Sequence, residues 1–453
     1  PRPDFAIATG DLVQKAAKRD FDGLRRRFER LDLPVYVIPG NHDDRDMLRD
    51  AFADTGYMPA DGFIHYAIDD YPLRLVAVDT VDPGRDGGKI CAERLLDDGA
   101  EFGHSALGFL YVTDALAEDL SSVLTYLRQK TGIVHWVGSV GIGILANSGK
   151  AGDAENSGEY FGAPAAAAMI LSLPQDHFRI LPTVKDDIDE VPSGLAAWMD
   201  QVQCHFGVIH GDPTNRNLPV LIEDISRRTN GFLVGAVTSS TGAVHQIADQ
   251  TTNGGVSGVV FAPQVSVATC LSQGCAPISG SHVISECVDN VLIGLDGERA
   301  IDVFKADIGA DLATDLRQVA GLIHVALPIE GSDTGDYLVR SLVGIDPDRG
   351  WLAISEEVSS GDRVMFVRRD QQSADTDLRN NILRMKRRLG GAPRGGLYFS
   401  CLGRGPSLFE QEAHEITVIT DLLGDIPLVG FYGNGEISNS RLYGFTGVLV
   451  LFL

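Results

Sequence analysis

A pattern that recurs three times along the chain constrains its fold most strongly. Each copy has a buried strand, an amphipathic helix, a second strand with a Val-Gly pair, a glycine-rich gap and a last strand. The copies begin at Gly108, Phe206 and Gly396. Such repeats bury their faces against one another, and the Val-Gly glycine is expected to let two backbones approach closely. We therefore predict an α/β (mixed α+β) fold in which repeated β-α-β-β units form mixed sheets.

Hydrophobic periodicity predicts the elements of each copy. The first copy has a strand over Gly108–Asp114, a helix over Ala115–Lys130 with Asp114 as N-cap, and strands at Val137-Gly138 and Ala165–Leu173. The corresponding elements of the second are Phe206–Asp212, Leu218–Arg228, Phe232–Ala236 and Val256–Phe261. Those of the third are Gly396–Cys401, His414–Leu423, Pro427–Phe431 and Gly447–Leu453.

Further strands are predicted between the second and third copies, at Val265–Leu271, Val283–Leu295, Asp336–Ile345, Trp351–Glu356 and Arg363–Arg368. A helix over Ser373–Leu389 follows, with Gly390 as its C′ residue. Its last turns carry Arg384, Lys386, Arg387 and Arg388. Cations there complement the helix dipole, so we interpret this basic run as a solvated helix end rather than a binding patch.

Length and charge limit the classes of protein and partner. The 453 residues exceed one core, which stops growing at roughly 250–300 residues, so at least two domains are expected. Asp and Glu outnumber Lys and Arg by 62 to 38, and this formal charge of −24 disfavours nucleic acid and anionic membranes as partners. Six scattered cysteines without a CxxC pair suit a reducing cytosol. We see no secretory leader, and we expect a cytoplasmic protein.

The first 96 residues carry a separate pattern with metal-binding chemistry. A strand over residues 5–9 ends at Asp11, and a helix over Val13–Leu31 leads to a strand that ends before Asn41 and His42. Open α/β sheets bind ligands at such carboxyl ends. Asp11 could bridge two divalent cations, Asn41 could ligate one, and His42 could protonate a leaving group. Oxygen and imidazole ligands suit Mn, Fe or Zn, and a metal pair clamps both oxygens of a phosphoryl displacement.

These residues resemble the calcineurin-like metallophosphoesterases. Gly10-Asp11, Gly40-Asn-His-Asp-Asp-Arg45 and Leu75-Val-Ala-Val-Asp-Thr80 are similar to the branch that includes cyclic-nucleotide phosphodiesterases. The resemblance implies a partial α/β sandwich. It also requires an Asp-x-His before Gly-Asp, with no counterpart after Pro1, and a final Gly-His-x-His, where Gly103-His104-Ser-Ala lacks the second histidine.

We therefore expect a truncated and inactive phosphoesterase fragment. Asp11 and Asn41 would hold metal, and His42 would be catalytic, only if an upstream part or another chain completes the site. Two alternatives stay open. The chain could be a metal-dependent phosphodiesterase that its remaining part regulates, or it could join two truncated genes at this junction. The opening at Pro1 suggests a piece of something longer.

The rest of the chain resembles FIST proteins. Leu110-Tyr-Val-Thr-Asp114, Gly138-Ser-Val-Gly-Ile-Gly143 and Ser272-Gln-Gly-Cys-Ala-Pro-Ile278 are similar to the family's N-terminal half. Ser400-Cys-Leu-Gly-Arg-Gly405 and Val429-Gly-Phe-Tyr-Gly-Asn-Gly-Glu-Ile437 are similar to its C-terminal half. The resemblance implies an intracellular sensory module that binds a small molecule, with an amino acid as candidate, and that signals to a protein partner. We predict domains over 1–96, 105–310 and 311–453, with a junction at 97–104.

Glycine-flanked charges in the third copy are the first candidate ligand residues. Arg404 could form a forked contact with a carboxylate, and Glu436, next to Asn434, could bind an ammonium. Together they would suit an amino-acid zwitterion. Each also fits a surface turn.

Other candidates for ligand contact are Cys275, Cys401, Asp114 and Asp212. The cysteines lie in the sharpest FIST-like motifs, but no spacing supplies a base, which favours small buried thiols. Asp114 and Asp212 end equivalent strands, where helix capping competes with ligand contact.

No cofactor is expected unless the phosphoesterase site is completed. Some FIST members resemble haem-based nitric-oxide sensors, and this keeps haem as an alternative, since an axial histidine or cysteine would be required. No flanking motif singles out a histidine among His135, His205, His210, His245, His282, His324 and His414.

Overall fold

The computed structural model describes residues 5–9, 12–13, 18–31, 33–39, 43–60, 64, 66–68, 75–77, 106–149, 157–229, 231–329, 337–411 and 413–453. The chain divides into two compact units. The first comprises residues 1–101 and 125–131, and the second comprises residues 102–124 and 132–453.

The first unit contains the predicted strand, helix and second strand, and a second helix follows them. Its elements are β1 Ala6–Thr9, α1 Lys18–Phe28, β2 Val35–Ile38, α2 Arg45–Phe52, β3 Tyr66–Ile68 and β4 Leu75–Ala77. β1 pairs with β2 in parallel, and β3 pairs with β4 antiparallel. Asp44 caps α2 by accepting a hydrogen bond from the Met47 N–H. Phe21, Val37 and Leu48 are fully buried in the small core of this unit.

From residue 106 the chain builds the repeat twice. The first copy contains β5 Ala106–Thr113, α3 Leu120–Thr131, β6 His135–Gly141, β7 Gly143–Ser148, β8 Gly158–Phe161 and β9 Ala166–Ser172. The linking elements are β10 Phe178–Val184 and α4 Ser193–Val202. The second copy contains β11 Phe206–Gly211, α5 Leu218–Thr229, β12 Phe232–Val237, β13 Gln246–Ala248, β14 Gln250–Thr252 and β15 Val256–Phe261.

An antiparallel ring separates the second copy from the third. After β16 Val267–Gln273, the ring region contains β17 Cys275–Pro277, β18 His282–Val288, β19 Val291–Leu295, β20 Glu298–Arg299, α6 Ala300–Thr314, β21 Ile323–Pro328, β22 Tyr337–Asp346, β23 Trp351–Ile354 and β24 Arg363–Arg369. Pairing of β21 with β24 closes six of these strands into the ring.

The chain ends with α7 and the third copy of the repeat. The elements are α7 Gln371–Lys386, β25 Gly395–Cys401, α8 Pro406–Phe409, α9 His414–Leu423, β26 Pro427–Gly433, β27 Glu436–Ser438, β28 Arg441–Tyr443 and β29 Thr446–Phe452. α9 has the predicted bounds.

Each copy forms the centre of one sheet with the same pairing. The first strand of a copy lies parallel to the second and antiparallel to the last, so that β5 lies between β6 and β9. In the same way β11 lies between β12 and β15, and β25 between β26 and β29. The predicted repeat and mixed sheets are therefore confirmed.

The copies also exchange strands in a cycle. β7 and β8 of the first copy extend the sheet of the third, and β13 and β14 of the second extend the sheet of the first. β27 and β28 of the third copy extend the sheet of the second. The three copies are thus interlocked with approximate three-fold symmetry.

The glycine of each Val-Gly pair allows its strand to lie close to the backbone of the neighbouring strand. A Cβ atom at Gly138 would lie 1.8 Å from the Leu110 carbonyl oxygen of the neighbouring strand. The corresponding distances are 1.7 Å from Gly235 to Ile209 and 1.7 Å from Gly430 to Tyr398. No other residue fits these places without a shift of the strands, which confirms the close approach that the sequence predicts.

Three equivalent rings meet where the sheets face one another. Tyr111, His210 and Phe399 each follow the residue opposite a Val-Gly glycine. Their ring centroids are 5.6 Å apart for Tyr111–His210 and 6.0 Å apart for the other two pairs. The three rings are thus nearly equally far from one another, and they lie in one core to which all three sheets contribute.

Several predicted boundaries are wrong, three of them for local reasons that the structure shows. Residues Asp114–Asp119 form a 3-10 helix whose N-cap is Thr113, so the α-helix begins only at Leu120. The strand predicted over Val283–Leu295 is a hairpin, because Asp289 takes a left-handed conformation with φ of 52°. α7 begins at Gln371, where Asp370 caps it through the Ser373 N–H, and it ends at Lys386, before the predicted Gly390 stop.

Candidate functional site

Arg404 enters the interior through the loop after β25. A Cβ atom at Gly403 would lie 2.7 Å from the Phe445 ring, and one at Gly405 would lie 2.7 Å from the Tyr432 ring. Gly405 also has a φ of 55°. The loop can therefore pass close to both rings only because glycines flank Arg404. In this position Arg404 is only 1% exposed.

A fully buried carboxylate on α9 balances this arginine. Arg404 Nε and Nη2 each lie 2.8 Å from Glu415 Oε1. Tyr398 donates to Glu415 Oε1 at 2.6 Å, and Ser400 donates to Oε2 at 2.7 Å. Burial works against the guanidinium charge, but Glu415 and Tyr398 raise the pKa of Arg404 above its ordinary value. The guanidinium of Arg404 therefore stays charged in the core, and among the described residues its Nη1 has no hydrogen-bond partner.

Glu436 is a second buried carboxylate beside this pair. Its Oε2 accepts hydrogen bonds from the Thr446 backbone N–H at 3.2 Å and from the Thr446 hydroxyl at 2.8 Å. Its Oε1 has no hydrogen-bond partner in the part of the chain that the structure describes. Burial raises the pKa of Glu436 to about 8, against the opposing effects of Thr446 and Arg404. Glu436 can thus change its protonation state near neutral pH.

The two candidate thiols lie against the same charges. Burial raises the pKa of Cys275 to about 12, although Arg369 and Arg404 oppose the shift. Burial and the Glu436 carboxylate raise the pKa of Cys401. Thiols that stay protonated are poor nucleophiles, which agrees with the interpretation as small buried side chains.

A cavity of about 1120 Å³ lies over this buried cluster. Gln273 and Cys275 line it, and the intervening Gly274 lies directly over the arginine, since a Cβ atom there would be 3.3 Å from Arg404 Nη1. Neither Arg404 nor Glu436 is among the residues that line the cavity, so the zwitterion clamp stays a prediction that this cavity does not support. Arg404 instead lies next to Gly274, which is between the lining residues Gln273 and Cys275.

The charges around the cavity are mostly positive. Among the described residues that line it, the charged ones are Asp377, Arg384, Arg388 and Arg441. Arg384 and Arg388 come from the basic end of α7, so the interpretation of that run as merely solvated is incomplete. Burial raises the pKa of Asp377, whose Oδ2 accepts hydrogen bonds from the Gln273 N–H at 2.7 Å and from Asn381 at 3.0 Å. A locally cationic cavity in an acidic chain favours an anionic group on its ligand.

The other candidate residues lie away from this cavity. Asp212 is buried and accepts hydrogen bonds from Thr214 in its own loop and from Gly254 in the loop between β14 and β15. Asp114 accepts hydrogen bonds from the N–H and hydroxyl of Thr241. Asn434 is exposed. The two aspartates therefore hold loops together, and a ligand role for any of the three stays a prediction.

Sequence reasoning missed Glu415 and the lining of the cavity. The signal for Glu415 was available, because it shares the apolar face of α9 with Val418 and Ile419. A carboxylate on such a face needs a buried partner. The cavity had no comparable signal, since α7, β16 and β28 come together only in the fold.

The phosphoesterase residues Asp11, Asn41 and His42 lie outside the described residues. Within the described part, Asp43 accepts hydrogen bonds from the Leu12 and Val13 N–H groups, each at 3.0 Å. The described residues hold no group of three or more metal-ligating side chains.

Among the histidines considered for haem binding, three lie beside aspartates and two are buried. His282 lies between Asp296 and Asp307, while His135 and His414 each contact an aspartate. Burial lowers the pKa of His210 to about 3 and that of His324 to about 4.

Comparison with known proteins now identifies both parts of the chain. The FIST N domain matches residues 106–298, and the FIST C domain matches residues 300–439. An uncharacterized protein of Mycobacterium tuberculosis is 32% identical over 335 residues, which cover 69% of this chain and 83% of that protein. The chain belongs to the FIST family. FIST domains are sensory and signalling domains. An uncharacterized Mycobacterium bovis protein is 35% identical over 212 residues, which cover 44% of this chain and 53% of that protein.

A calcineurin-like phosphoesterase segment precedes the FIST domains. That family matches residues 1–119. A probable glycerophosphodiester phosphodiesterase of Arcobacter nitrofigilis is 32% identical over 96 residues, which cover 21% of this chain and 35% of that enzyme. Calcineurin-like domains are normally metal-dependent. In the part of the chain that the structure describes, no helix is long and apolar enough to cross a membrane.

Proposed function

We propose that this chain is a sensor for a small molecule with a carboxylate group, an amino acid first of all, and that the cavity over Arg404 binds it. The observation that carries the proposal is the cationic rim of Arg384, Arg388 and Arg441 on a chain with a formal charge of −24. Guanidinium groups are suited to carboxylates because they can form two parallel hydrogen bonds.

The cavity also offers acceptors for an ammonium group. Gln273 Oε1 is buried and has no hydrogen-bond partner among the described residues. Asp377 uses Oδ2 for both of its hydrogen bonds, and no described donor contacts its Oδ1. An α-amino acid could therefore place its carboxylate toward the arginines and its ammonium toward Gln273 and Asp377. This arrangement replaces the clamp that the sequence suggested.

The position of the cavity floor supports a sensory role. β16 belongs to the sheet of the third copy, whereas β17 pairs with β24 of the ring. The floor residues Gln273 and Cys275 belong to these two strands, on either side of Gly274. A ligand on the floor therefore contacts the connection between the sheet and the ring. We propose that binding changes this connection and that a signalling protein responds to the change.

Calorimetry of the full chain with single amino acids tests the proposal. We expect binding by some of them and at least a tenfold loss of affinity in Arg384→Gln/Arg388→Gln. Arg227→Gln on α5 is the matched control, since Arg227 is exposed and its ion pairs with described residues are with Glu223 and Asp224 of its own helix. Absence of binding by every amino acid, or equal affinity in the double variant and the control, would refute it.

We also propose that the phosphoesterase segment is inactive. After His104 the chain continues with Ser105 and Ala106, and Ala106 is the first residue of β5 in a FIST sheet. The place of the family's last histidine is therefore occupied by the start of another fold. Purified chain with added manganese should not hydrolyse bis-nitrophenyl phosphate. Hydrolysis that His42→Ala abolishes would show that another part completes the site.

A further inference from the structure

Among the described residues, the sheet of the first copy has five strands, whereas the sheets of the second and third copies have six. The sheet of the second copy carries β10 outside its last strand, and that of the third copy carries β16 in the same place. Both added strands run antiparallel to the strand that they cover. In the sheet of the first copy, β9 is the edge, and no described strand pairs with its outer side.

The outer side of β9 presents backbone groups ready for pairing. The Thr113 N–H donates to the Ala165 carbonyl, so Ala165, Ala167 and Met169 direct their backbone groups toward β5. The alternate residues Ala166, Ala168, Ile170 and Ser172 direct theirs outward. An exposed edge of this kind attracts another strand, and proteins usually protect it with charge, proline or a bulge. The sequence of β9, Ala-Ala-Ala-Met-Ile-Leu-Ser, has none of these protections.

The added strands of the other two sheets show what the occupant must be. β10 places Phe178 and Ile180 in the core shared by the sheets, and it places Leu181 in the core on the opposite face. β16 likewise places Val267 in the shared core and packs Ala268 against the other face. The occupant is thus an antiparallel strand that is apolar on both faces. β9 itself meets this description, since Met169 and Ile170 point to opposite faces.

We propose that two copies of this chain pair through β9, antiparallel and across a two-fold axis at Met169. Ala168 then faces Ile170 of the other copy, and Ala166 faces Ser172, so that every outward residue meets another outward residue. Each such pair exchanges two backbone hydrogen bonds. No like charges meet, and the two five-stranded sheets become continuous. The interface is isologous, as in most homodimers.

Light scattering on the full chain tests the proposal. We expect a dimer for the wild type and at least a tenfold weaker dimer for Ala168→Pro, which removes an outward N–H, and for Ala168→Lys, which places an added charge at the pairing edge. Val220→Lys is the matched control, because Val220 is an exposed apolar residue on α5 that is 59% accessible. A monomeric wild type, or dimers that persist equally in all three variants, would overturn the proposal.

Hydrogen exchange provides a measurement that does not depend on a variant. The N–H groups of Ala168 and Ile170 should become at least tenfold better protected as the concentration of the chain rises through the dimerisation range. Protection that is independent of concentration contradicts pairing between copies. Protection that arises only when a different polypeptide is added would show that the edge serves a strand from another protein.

Discussion

The second and third copies of the repeat share one topology but differ where the first strand ends. In the second copy Asp212 is buried, and both of its carboxylate oxygens accept hydrogen bonds, from the N–H and hydroxyl of Thr214 in its own loop and from the Gly254 N–H between β14 and β15. In the third copy the loop carries Arg404 near Glu436, and neither Arg404 Nη1 nor Glu436 Oε1 has a hydrogen-bond partner among the residues that the structure describes. Unsatisfied buried polar groups are costly and cluster where function requires them. The same scaffold thus holds a closed loop in one copy and an open polar cluster in the other.

The largest effect should come from the feature that the copies share. Gly430→Ala and Gly235→Ala each place a Cβ atom 1.7 Å from a carbonyl oxygen. We expect each substitution to lower the free energy of unfolding of the FIST domains by more than about 4 kcal/mol, because neither strand can move without breaking its sheet. Urea denaturation measures the loss, and Gly391→Ala is the control, since nothing lies within 4 Å of that position. A small effect in one copy only would show that the sheets are not equivalent.

The second-largest effect on stability should distinguish the third copy from the second. Arg404→Met leaves Glu415 as an uncompensated buried charge, and we expect a loss of about 3–5 kcal/mol. Asp212→Asn keeps a carbonyl acceptor for the loop and should cost about 1 kcal/mol. Denaturation of both variants tests the contrast. Adding Glu415→Gln to Arg404→Met should recover part of the loss, and failure to recover would mean that Arg404 acts through packing alone.

The contribution of the third copy to stability should depend on pH. Glu436 has a pKa of about 8 in the folded chain against an ordinary value of 4.5, so between these values the folded state keeps a proton that the unfolded state releases. Its contribution to stability is therefore full below pH 4.5 and is lost as the pH rises toward 8. Glu436→Gln should flatten that part of the stability profile in urea titrations. An unchanged slope would place the titration elsewhere.

The sequence predicted local structure and repetition better than it predicted the site. α9 and the Val-Gly glycines follow from periodicity and from backbone contact, which neighbouring residues determine. The closure of the ring through β21 and β24 depends on register over a long separation. The pairing of Arg404 with Glu415 could have been suspected from the carboxylate on an apolar helix face. The cavity could not, because its walls come from elements far apart in the chain.

The smallest expected effect concerns the first copy. Asp114 ends the first strand as Asp212 does, but it is partly exposed, and among the described residues its hydrogen-bond donors all belong to Thr241. Asp114→Asn keeps an acceptor for that residue, so we expect a stability change within about 0.5 kcal/mol. Ligand affinity should not change, since Asp114 does not line the cavity. If calorimetry instead shows that Asp114→Asn abolishes amino-acid binding while Arg384→Gln/Arg388→Gln does not, the ligand binds at the strand end of the first copy. The polar cluster of the third copy would then be structural.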